Sequence, residues 1–494
     1  MARIEYGQYK GRQQLVTKVP RDEGITTSNV DDVYREIESA LQNNIQQSET
    51  LFEYYFGDQA ILTRQKVVRP EINTRMVENR AHEIINFKTG YQYGEGCYYV
   101  GIGDDVNNKN QIELVNGYNT YIGKGRVDQE HLLDAMVTGR GFRMVREPEE
   151  PETLFEHELT YKIDHIDARY GDMIYDSSVT PEPMAFIFFQ TDDEGNEIKT
   201  FYTKDEIITV REDGTESVPH TMEMIPIVET KLNNHRIGAF EPVLGLLDAV
   251  NLLQSDRMNA VEQFIQSILI MVDVDFIDDE QGRSLMQVLQ DSGGLKLKSG
   301  KHGKPSVEFL TQELTQSDAQ VLKHDILSAI NEITALPDRM GNTKGSGDTG
   351  IAVELRDGWA NAETYARNVD PYLESSEKQL VKLIAMCYNT GNSGELNPFY
   401  VNVEFNRNPV VETVNSTQAM LVMRNLGIHP KYWLTISGLF DDVEQVLADS
   451  EETIEQAFLA EIDTERTANT ESERTENTDE TERTVNETRE ELDE

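Results

Sequence analysis

Residues that could do chemistry are common in this chain, but few stand at the spacing chemistry needs. His82-Glu83 supplies the first half of the helical H-E-x-x-H pattern, in which two imidazoles one turn apart hold a zinc ion and the glutamate activates water. Ile84, Ile85 and Asn86 follow, so the second imidazole is missing and His82 is expected on the polar face of its helix. Asp192, Asp193 and Glu194 gather carboxylates in one stretch, the oxygen-rich set a hard cation prefers. Consecutive carboxylates in a turn are more commonly just hydrated. Gly300-Lys301 has the outline of a phosphate-binding loop, but His302 stands where Ser or Thr must be and the glycine spacing fails. There is no G-x-S-x-G elbow and no C-x-x-C pair. With 89 acidic residues, a two-carboxylate catalytic pair has no signature that stands out from the background. No nucleotide-binding loop is present either, so ATP-driven work would have to come from another polypeptide.

Two stretches remain whose chemistry is binding. LKLKSGKHGKPSVEFL gathers Lys296, Lys298, Lys301, His302 and Lys304 in an otherwise acidic chain. It reads either as a solvated hairpin whose lysines discourage edge pairing or as a contact patch for phosphate or an acidic partner. The other stretch is Gly341–Gly350, GNTKGSGDTG, whose four glycines free the backbone and whose side chains are small or polar apart from Lys344. Such a loop cannot be core.

The elements that must hold this loop are helical. Before it, Leu314, Val321, Leu322, Ile326, Ile330, Ile333 and Leu336 recur at the spacing of an apolar helix stripe, and Pro337 marks the end. After it, Ile351–Asn389 reads as one helix of roughly 55 Å, interrupted only by Pro371, which should kink or break it.

Composition narrows the classes. The chain has 494 residues, 38% hydrophobic and 27% charged, enough for several domains and a substantial core. Its formal net charge of −44 argues against a surface that clings to nucleic acid or anionic membrane, which needs dense lysine and arginine. It is compatible with letting DNA slide past. Cys97 and Cys387 are the two cysteines, far apart in sequence, so a disulfide framework is not expected and synthesis in a reducing compartment is. The best apolar segment, Phe264–Ile277, is short and carries Gln266, Asp273 and Asp275, so no membrane span is expected. The first 25 residues lack the apolar core of a signal peptide.

In chain order, residues 1–24 read as a polar arm. A helix follows from Ser28 or Asn29 to just before Gly57, with Val33, Ile37, Leu41, Ile45, Leu51, Phe52 and Tyr55 apolar. A second helix is expected over Asn73–Thr89, running into FKTGYQYGEGCYYVG, and a third over Val127–Val137, with Gly139-Arg-Gly-Phe-Arg opening a strand. From Leu154 to Val228 the pattern is short strands and turns, including a hairpin turn at Asp192 and another at Asp213-Gly214. Ile225-Pro-Ile-Val-Glu and Asn233-Asn234 lead into a long apolar helix from Val243 to Leu269, for which Leu314–Leu336 is the natural packing partner. Between the two lies an insertion, Asp273–Leu310, with a short helix around Leu285–Leu289. A strand at Phe399–Phe405, a helix at Glu412–Leu426 and an apolar segment from Trp433 to Val446 close the folded part. From about Thr464 the sequence collapses to Thr, Glu, Asn, Arg and Asp units and reads as disordered.

The run GNTKGSGDTGIAVELRDGWANAE, followed by SSEKQLVKLIAMCYN, resembles the portal proteins of tailed bacteriophages, in particular those of long-tailed phages of Gram-positive bacteria. The Gly-Tyr-x-x-Gly stretch after the second helix, the Asn233-Asn234 lead-in and the Asp441-Asp442 pair agree with that family. The resemblance implies an α+β, mainly α protomer. Its parts would be an N-terminal arm (1–27), a wing of helices then strands (28–239), a stem helix (240–272), a small α/β clip (273–312) and a second stem helix (313–337). A channel loop (338–350), a long wing helix (351–398), a helical crown (399–463) and the disordered acidic tail (464–494) would follow; the family assigns that tail no role.

It further implies a ring-shaped homo-oligomer, typically dodecameric, at one capsid vertex of the virion, assembled in the host cytoplasm. Double-stranded DNA would pass its channel in packaging and ejection, with the terminase large subunit supplying the ATPase. The clip lysines and His302 would meet the terminase and then the head-tail adaptor, and the crown would face the major capsid and scaffold proteins. Asn342, Thr343, Lys344, Ser346, Asp348 and Thr349 would line the channel, Lys344 touching phosphate. No cofactor, metal, membrane or catalytic group is implied. The competing classes are a metal-dependent phage hydrolase or nuclease, which a metal-dependent nuclease assay separates, and a minor head structural protein that forms no ring, which oligomeric state separates.

Overall fold

The structure is a computed structural model. It describes residues 11–67, 70–94, 96–102, 106–148, 152–154, 157–192, 195–220, 222–265, 268–272, 274–276, 297–299, 306–310, 316–337, 358–391, 395–405, 407 and 413–437, with a few isolated positions up to 450. The chain divides into two units, 1–407 and 408–494. In order, the first elements are β1 (Leu15–Thr17), α1 (Val30–Phe56), α2 (Arg80–Gln92), β2 (Cys97–Gly101), α3 (Val106–Tyr121), α4 (Lys124–Thr138) and β3 (Arg140–Arg146). A run of strands follows: β4 (Glu152–Leu154), β5 (His157–Leu159), β6 (Lys162–Ile166), β7 (Gly171–Asp176), β8 (Pro183–Thr191), β9 (Glu197–Tyr202), β10 (Glu206–Arg211), β11 (Gly214–Pro219) and β12 (Ile227–Lys231). Next come α5 (Leu244–Ile265), β13 (Ile268–Val272), β14 (Val274–Phe276), β15 (Leu297–Ser299), β16 (Ser306–Leu310), α6 (Gln316–Thr334), α7 (Trp359–Gly391) and β17 (Val401–Phe405). The second unit holds α8 (Thr413–Asn425) and α9 (Pro430–Ser437). The fold is mixed α+β.

Helix α1 begins and ends where its sequence dictates. Asn29 Oδ1 accepts from the Thr26 amide at 2.9 Å and its Nδ2 donates to Gly24 O at 3.0 Å, fixing the entry turn. Gly57 terminates the helix at φ 102°, a left-handed conformation that costs glycine little. The apolar stripe of α1 lies on the six-stranded sheet, ordered β1-β7-β8-β9-β10-β11, where Val33, Ile37 and Leu41 meet Ile174, Ala185 and Phe201. Only β1–β7 is parallel in that sheet. This corrects the expected arm. From Arg12 onward the N-terminal stretch is built in, with β1 as an edge strand and the Arg12 guanidinium donating to Glu241 at 2.5 Å. A three-stranded sheet, β12-β3-β6, and the two-stranded pairs β2–β17, β13–β16, β14–β15 and β4–β5 complete the strands.

The second helix starts at Arg80, seven residues later than its apolar pattern suggests, because α5 holds the preceding segment extended. Asn251, Ser255 and Asn259, all buried on one face of α5, accept from the amides of Glu78, Met76 and Thr74 at 2.7, 2.9 and 2.7 Å. Four helical residues rise about 6 Å and two extended residues about 6.6 Å, so a side chain every fourth position matches an amide every second one. Replacing Asn251 by Ala should strand the Glu78 amide and cost about 1–3 kcal/mol, read as a lowered urea midpoint at unchanged m-value. A change of only a few tenths would show that water serves that amide equally well.

Three further differences have physical causes. Helix α5 stops at Ile265, and Ile268 and Leu269, read as its last apolar turns, pair in β13 with Leu310 and Phe309. That β-branched run suits a pleated strand better than a helix end. Helix α3 forms although its asparagine-rich sequence is a poor helix former. Its Ile112, Val115 and Tyr118 nonetheless sit in the core formed with α7. The hairpin turn at Asp192 uses its own carboxylate: Oδ1 accepts from the Asn196 amide at 2.7 Å and Oδ2 from Asn196 Nδ2 at 3.0 Å. Asp193 and Glu194 lie outside the described residues.

Candidate functional site

Gly341–Gly350, with Asn342, Thr343, Lys344, Ser346, Asp348 and Thr349, lies outside the described residues. So do Lys296, Lys301, His302, Lys304, the expected short helix near Leu285 and the tail after Thr464. Lys298 falls in β15, opposite Asp275 of β14. What the structure describes is the frame on either side of the glycine run. Helix α6 ends with Ala335 in the left-handed region, φ 55°, and the Leu336 amide donating back to Asn331 O at 2.9 Å. That is the bond pattern by which a helix usually ends on glycine, here carried by alanine. Helix α7 opens after Gly358, φ 84°, whose carbonyl accepts from Asn361.

Both helices are anchored from below. Ile330 of α6 is buried with Leu247 and Val250 of α5 and Val369 and Leu373 of α7, and Ile326 and Leu336 pack on the same cluster. Lys323 meets Glu78 at 2.9 Å. Val321, Leu322 and Ile333, which belong to the same sequence stripe, are exposed. At the start of α7, Trp359 lies 5.9 Å from Phe87 and 6.3 Å from Tyr91, ring centre to ring centre. The Tyr91 hydroxyl donates to Glu363 at 3.0 Å, and Gln92 donates to Asp370 at 2.6 Å. Arg407 binds both of those carboxylates. Lys88 is buried with its ammonium 3.0 Å from the centre of the Tyr365 ring, and burial lowers its pKa to about 7.

The middle of α7 is fixed by charge. Glu377, fully buried, accepts from the Arg143 guanidinium and from the Tyr99 hydroxyl at 3.0 Å, with Lys124 at 3.3 Å. Asp128 takes Lys124 at 2.5 Å and Arg143 at 2.6 Å. Burial alone would push the Glu377 carboxyl up. The opposing Arg143 and Lys124 charges and the hydrogen bonds outweigh it and hold the group at about 2. Four elements, β2, α4, β3 and α7, converge on this one carboxylate. The arrangement holds and aligns; it contains no activated nucleophile. Burial raises the Cys97 and Cys387 thiols, the latter to about 12. Among the described residues no group of three or more His, Cys, Asp or Glu is placed to hold a metal ion, and no helix is long and apolar enough to cross a membrane. His82 is exposed on α2, stacked on Tyr55 at 4.9 Å and bonded to Asn86.

The sequence profile of the family described as "Phage portal protein, SPP1 Gp6-like" matches residues 34–458. The chain belongs to this family. Portal proteins of this kind are structural components of the particle. Curated protein sequences include no significant match. Among solved structures, the chain is similar to the neck of a native GTA particle computed with C12 symmetry, at 9% identity and TM-score 0.42 over 73% of this chain and 89% of that one. It is similar also to the neck of an empty GTA particle computed with C6 symmetry, at 10% identity and TM-score 0.44 over 73% and 90%.

Two further buried networks brace the portal protein, and motif reading misses all three because each has at least one partner far away in sequence, such as Arg143 for Glu377 and Asn44 for Asp172. Glu229 receives Arg236 at 2.6 Å and the Tyr175 hydroxyl, and these hold its carboxyl at about 2 against the upward push of burial. Asp172 receives Arg140, and Asn44 at 2.8 Å. The signal that could have found them is the arginine pattern of β3, RGFRMVR, in which Arg140 and Arg143 stand among glycine and apolar residues ahead of Arg146. Gly139 makes the approach possible. At φ 82° it faces Arg236, and an added Cβ would stand 2.2 Å from the Arg236 carbonyl. Gly139→Ala should therefore cost at least about 1–3 kcal/mol from backbone strain alone and displace the Arg236–Glu229 pair, seen as a drop of several degrees in melting temperature. An unchanged melt would mean the 138–140 turn relaxes freely.

Proposed function

We propose that this portal protein closes into a dodecameric ring at the capsid vertex and forms the channel through which double-stranded DNA is packaged and later ejected. The family match over residues 34–458 carries the reading. In it, residues 28–239 and the 351–398 helix form the wing, 240–272 and 313–337 the stem, 273–312 the clip and 399–463 the crown facing the capsid interior, with the major capsid and scaffold proteins around it. Residues 338–350 form the channel loop. The clip patch (Lys296, Lys298, Lys301, His302, Lys304) meets the terminase large subunit, which supplies the ATPase, and afterwards the head-tail adaptor.

The chemistry is physical rather than catalytic. Each phosphate neutralised by a basic side chain adds affinity through counterion release, so a strongly basic wall would brake the duplex. A chain of net charge −44 that offers one lysine per loop, Lys344, centres DNA without gripping it. Negative-stain electron microscopy with native mass on one sample tests the ring: a compact dimer or tetramer without a hole would overturn it. Removing Asn342–Thr349 should leave rings intact and block DNA filling of heads, measured by packaged-DNA protection from nuclease. Normal filling would show that the loop is not the part that engages DNA.

A further inference from the structure

Helix α7 changes character at Pro371, which lies inside it. Before the proline its fully covered apolar side chains are Ala362, Ala366 and Val369. After it they include Leu373, Leu380, Val381, Leu383, Ile384 and Tyr388. An alanine methyl takes little apolar surface out of water, so burial holds residues 359–370 far less strongly than the turns that follow. Proline has no amide to donate, so the Arg367 carbonyl loses the hydrogen bond that would join the two parts. Ser376 loosens the next turn, its hydroxyl donating to the Leu373 carbonyl at 2.9 Å. A cavity of about 930 Å³, lined by Pro371, Tyr372, Ser375 and Ser376 among others, leaves one side of this junction unpacked.

What holds residues 359–370 is largely polar and partly exposed. Tyr91 and Gln92 of α2 donate to Glu363 and Asp370, Arg407 bonds to the same two carboxylates, and Trp359 lies against Phe87 and Tyr91. Against these contacts stands Lys88. Its ammonium is covered by the Tyr365 ring of α7, and no carboxylate bonds to it among the described residues. Covering an ammonium without a counter-charge costs free energy, which departure of the helix recovers by returning the group to water. Beyond Pro371 the balance is reversed, because Glu377 ties α7 to Arg143, Lys124 and Tyr99.

We propose that residues 359–370, the first three turns of α7, detach from α2 as a unit about Pro371 while the rest of the first unit stays folded. The movement uncovers Lys88 and frees the end of the frame that α7 supplies. Its use, to let that frame yield as DNA passes, rests on the channel reading; the detachment itself does not.

Amide hydrogen exchange on the whole chain tests it. A helix of three turns is too short to hold in water by itself. Amides 363–370 should therefore exchange at least about 100-fold faster than amides 377–388, and with a weaker dependence on urea. Glu377→Gln should hasten exchange at 377–388 and leave 363–370 within about 3-fold of the wild type. Lys88→Met removes the covered charge and should slow 363–370 about 30-fold or more. Equal wild-type rates in the two sets, or equal acceleration of both by Glu377→Gln, would show that α7 opens only with the whole unit and overturn the proposal. An unchanged rate at 363–370 in Lys88→Met would overturn it too, since opening would not then uncover the lysine. A short bismaleimide across Phe87→Cys/Trp359→Cys should suppress the fast exchange, and heads built with that chain should not fill with DNA. Suppressed exchange with normal filling overturns the use of the movement in packaging. Wild-type chain that forms no ring overturns the channel reading, and the exchange rates still decide the detachment.

Discussion

Glu377→Ala should destabilise the first unit by about 3–5 kcal/mol, because it removes the anion and leaves two cations buried. Arg143 and Lys124 are almost wholly inaccessible, and Asp128 would be the one remaining carboxylate for both. Glu377→Gln keeps the shape and one acceptor but not the charge, so it should recover only part of the loss. The same group predicts an acid limb. Its folded pKa, about 2, lies below the ordinary 4.5, so the unfolded chain takes up the proton first as pH falls. The stabilisation is therefore complete above about pH 4.5 and is lost as pH drops toward 2. A shift of that size corresponds to roughly 3 kcal/mol. Urea titrations at pH 7 and pH 3.5 check it. The wild type should weaken between the two, and Glu377→Ala should weaken less, since its contribution is already gone. Equal losses in both would place the acid sensitivity in other carboxylates.

What could be read from the sequence was local, and what could not was long-range. Helix α1 was legible because stripe, entry residues and terminal glycine all point the same way. The start of α2 was not, since the apolar pattern of 73–79 is overridden by three side chains from α5, more than 170 positions away. The sequence marks the stripe of α6 as one apolar face, yet Ile330 is buried while Val321, Leu322 and Ile333 are exposed. Periodicity reports an apolar face without saying whether this chain or another covers it. The glycine run stood out by composition alone, which needs no partner. Glu377 could not: in SSEKQLVKL it looks like any solvated helix acid, and only the approach of Arg143 from 234 positions away makes it a keystone.

Lys88→Met should stabilise the protein at neutral pH. Lys88 is buried beside the frame of the glycine run, and burial is what brings its pKa from 10.5 to about 7. Between pH 7 and about 10.5 the unfolded chain carries a proton on this side chain that the folded chain has lost. Stability therefore rises with pH across that window, and below pH 7 both states are protonated and the full penalty applies. The shift corresponds to roughly 4–5 kcal/mol. The Tyr365 ring, 3.0 Å from the ammonium, returns about 1–2 kcal/mol of it. Methionine keeps the unbranched apolar stem and discards the charge, so a gain of about 2–3 kcal/mol at pH 7 is expected, shrinking toward pH 10. Urea titrations of both proteins at pH 7 and pH 10 decide it. A variant less stable than the wild type at pH 7 would mean the ammonium is held by an acceptor stronger than the ring. A more stable variant that no longer supports DNA filling of heads, the function proposed above, would mean that the lysine destabilises the protomer in exchange for a role in that function, through the helix that begins at Trp359.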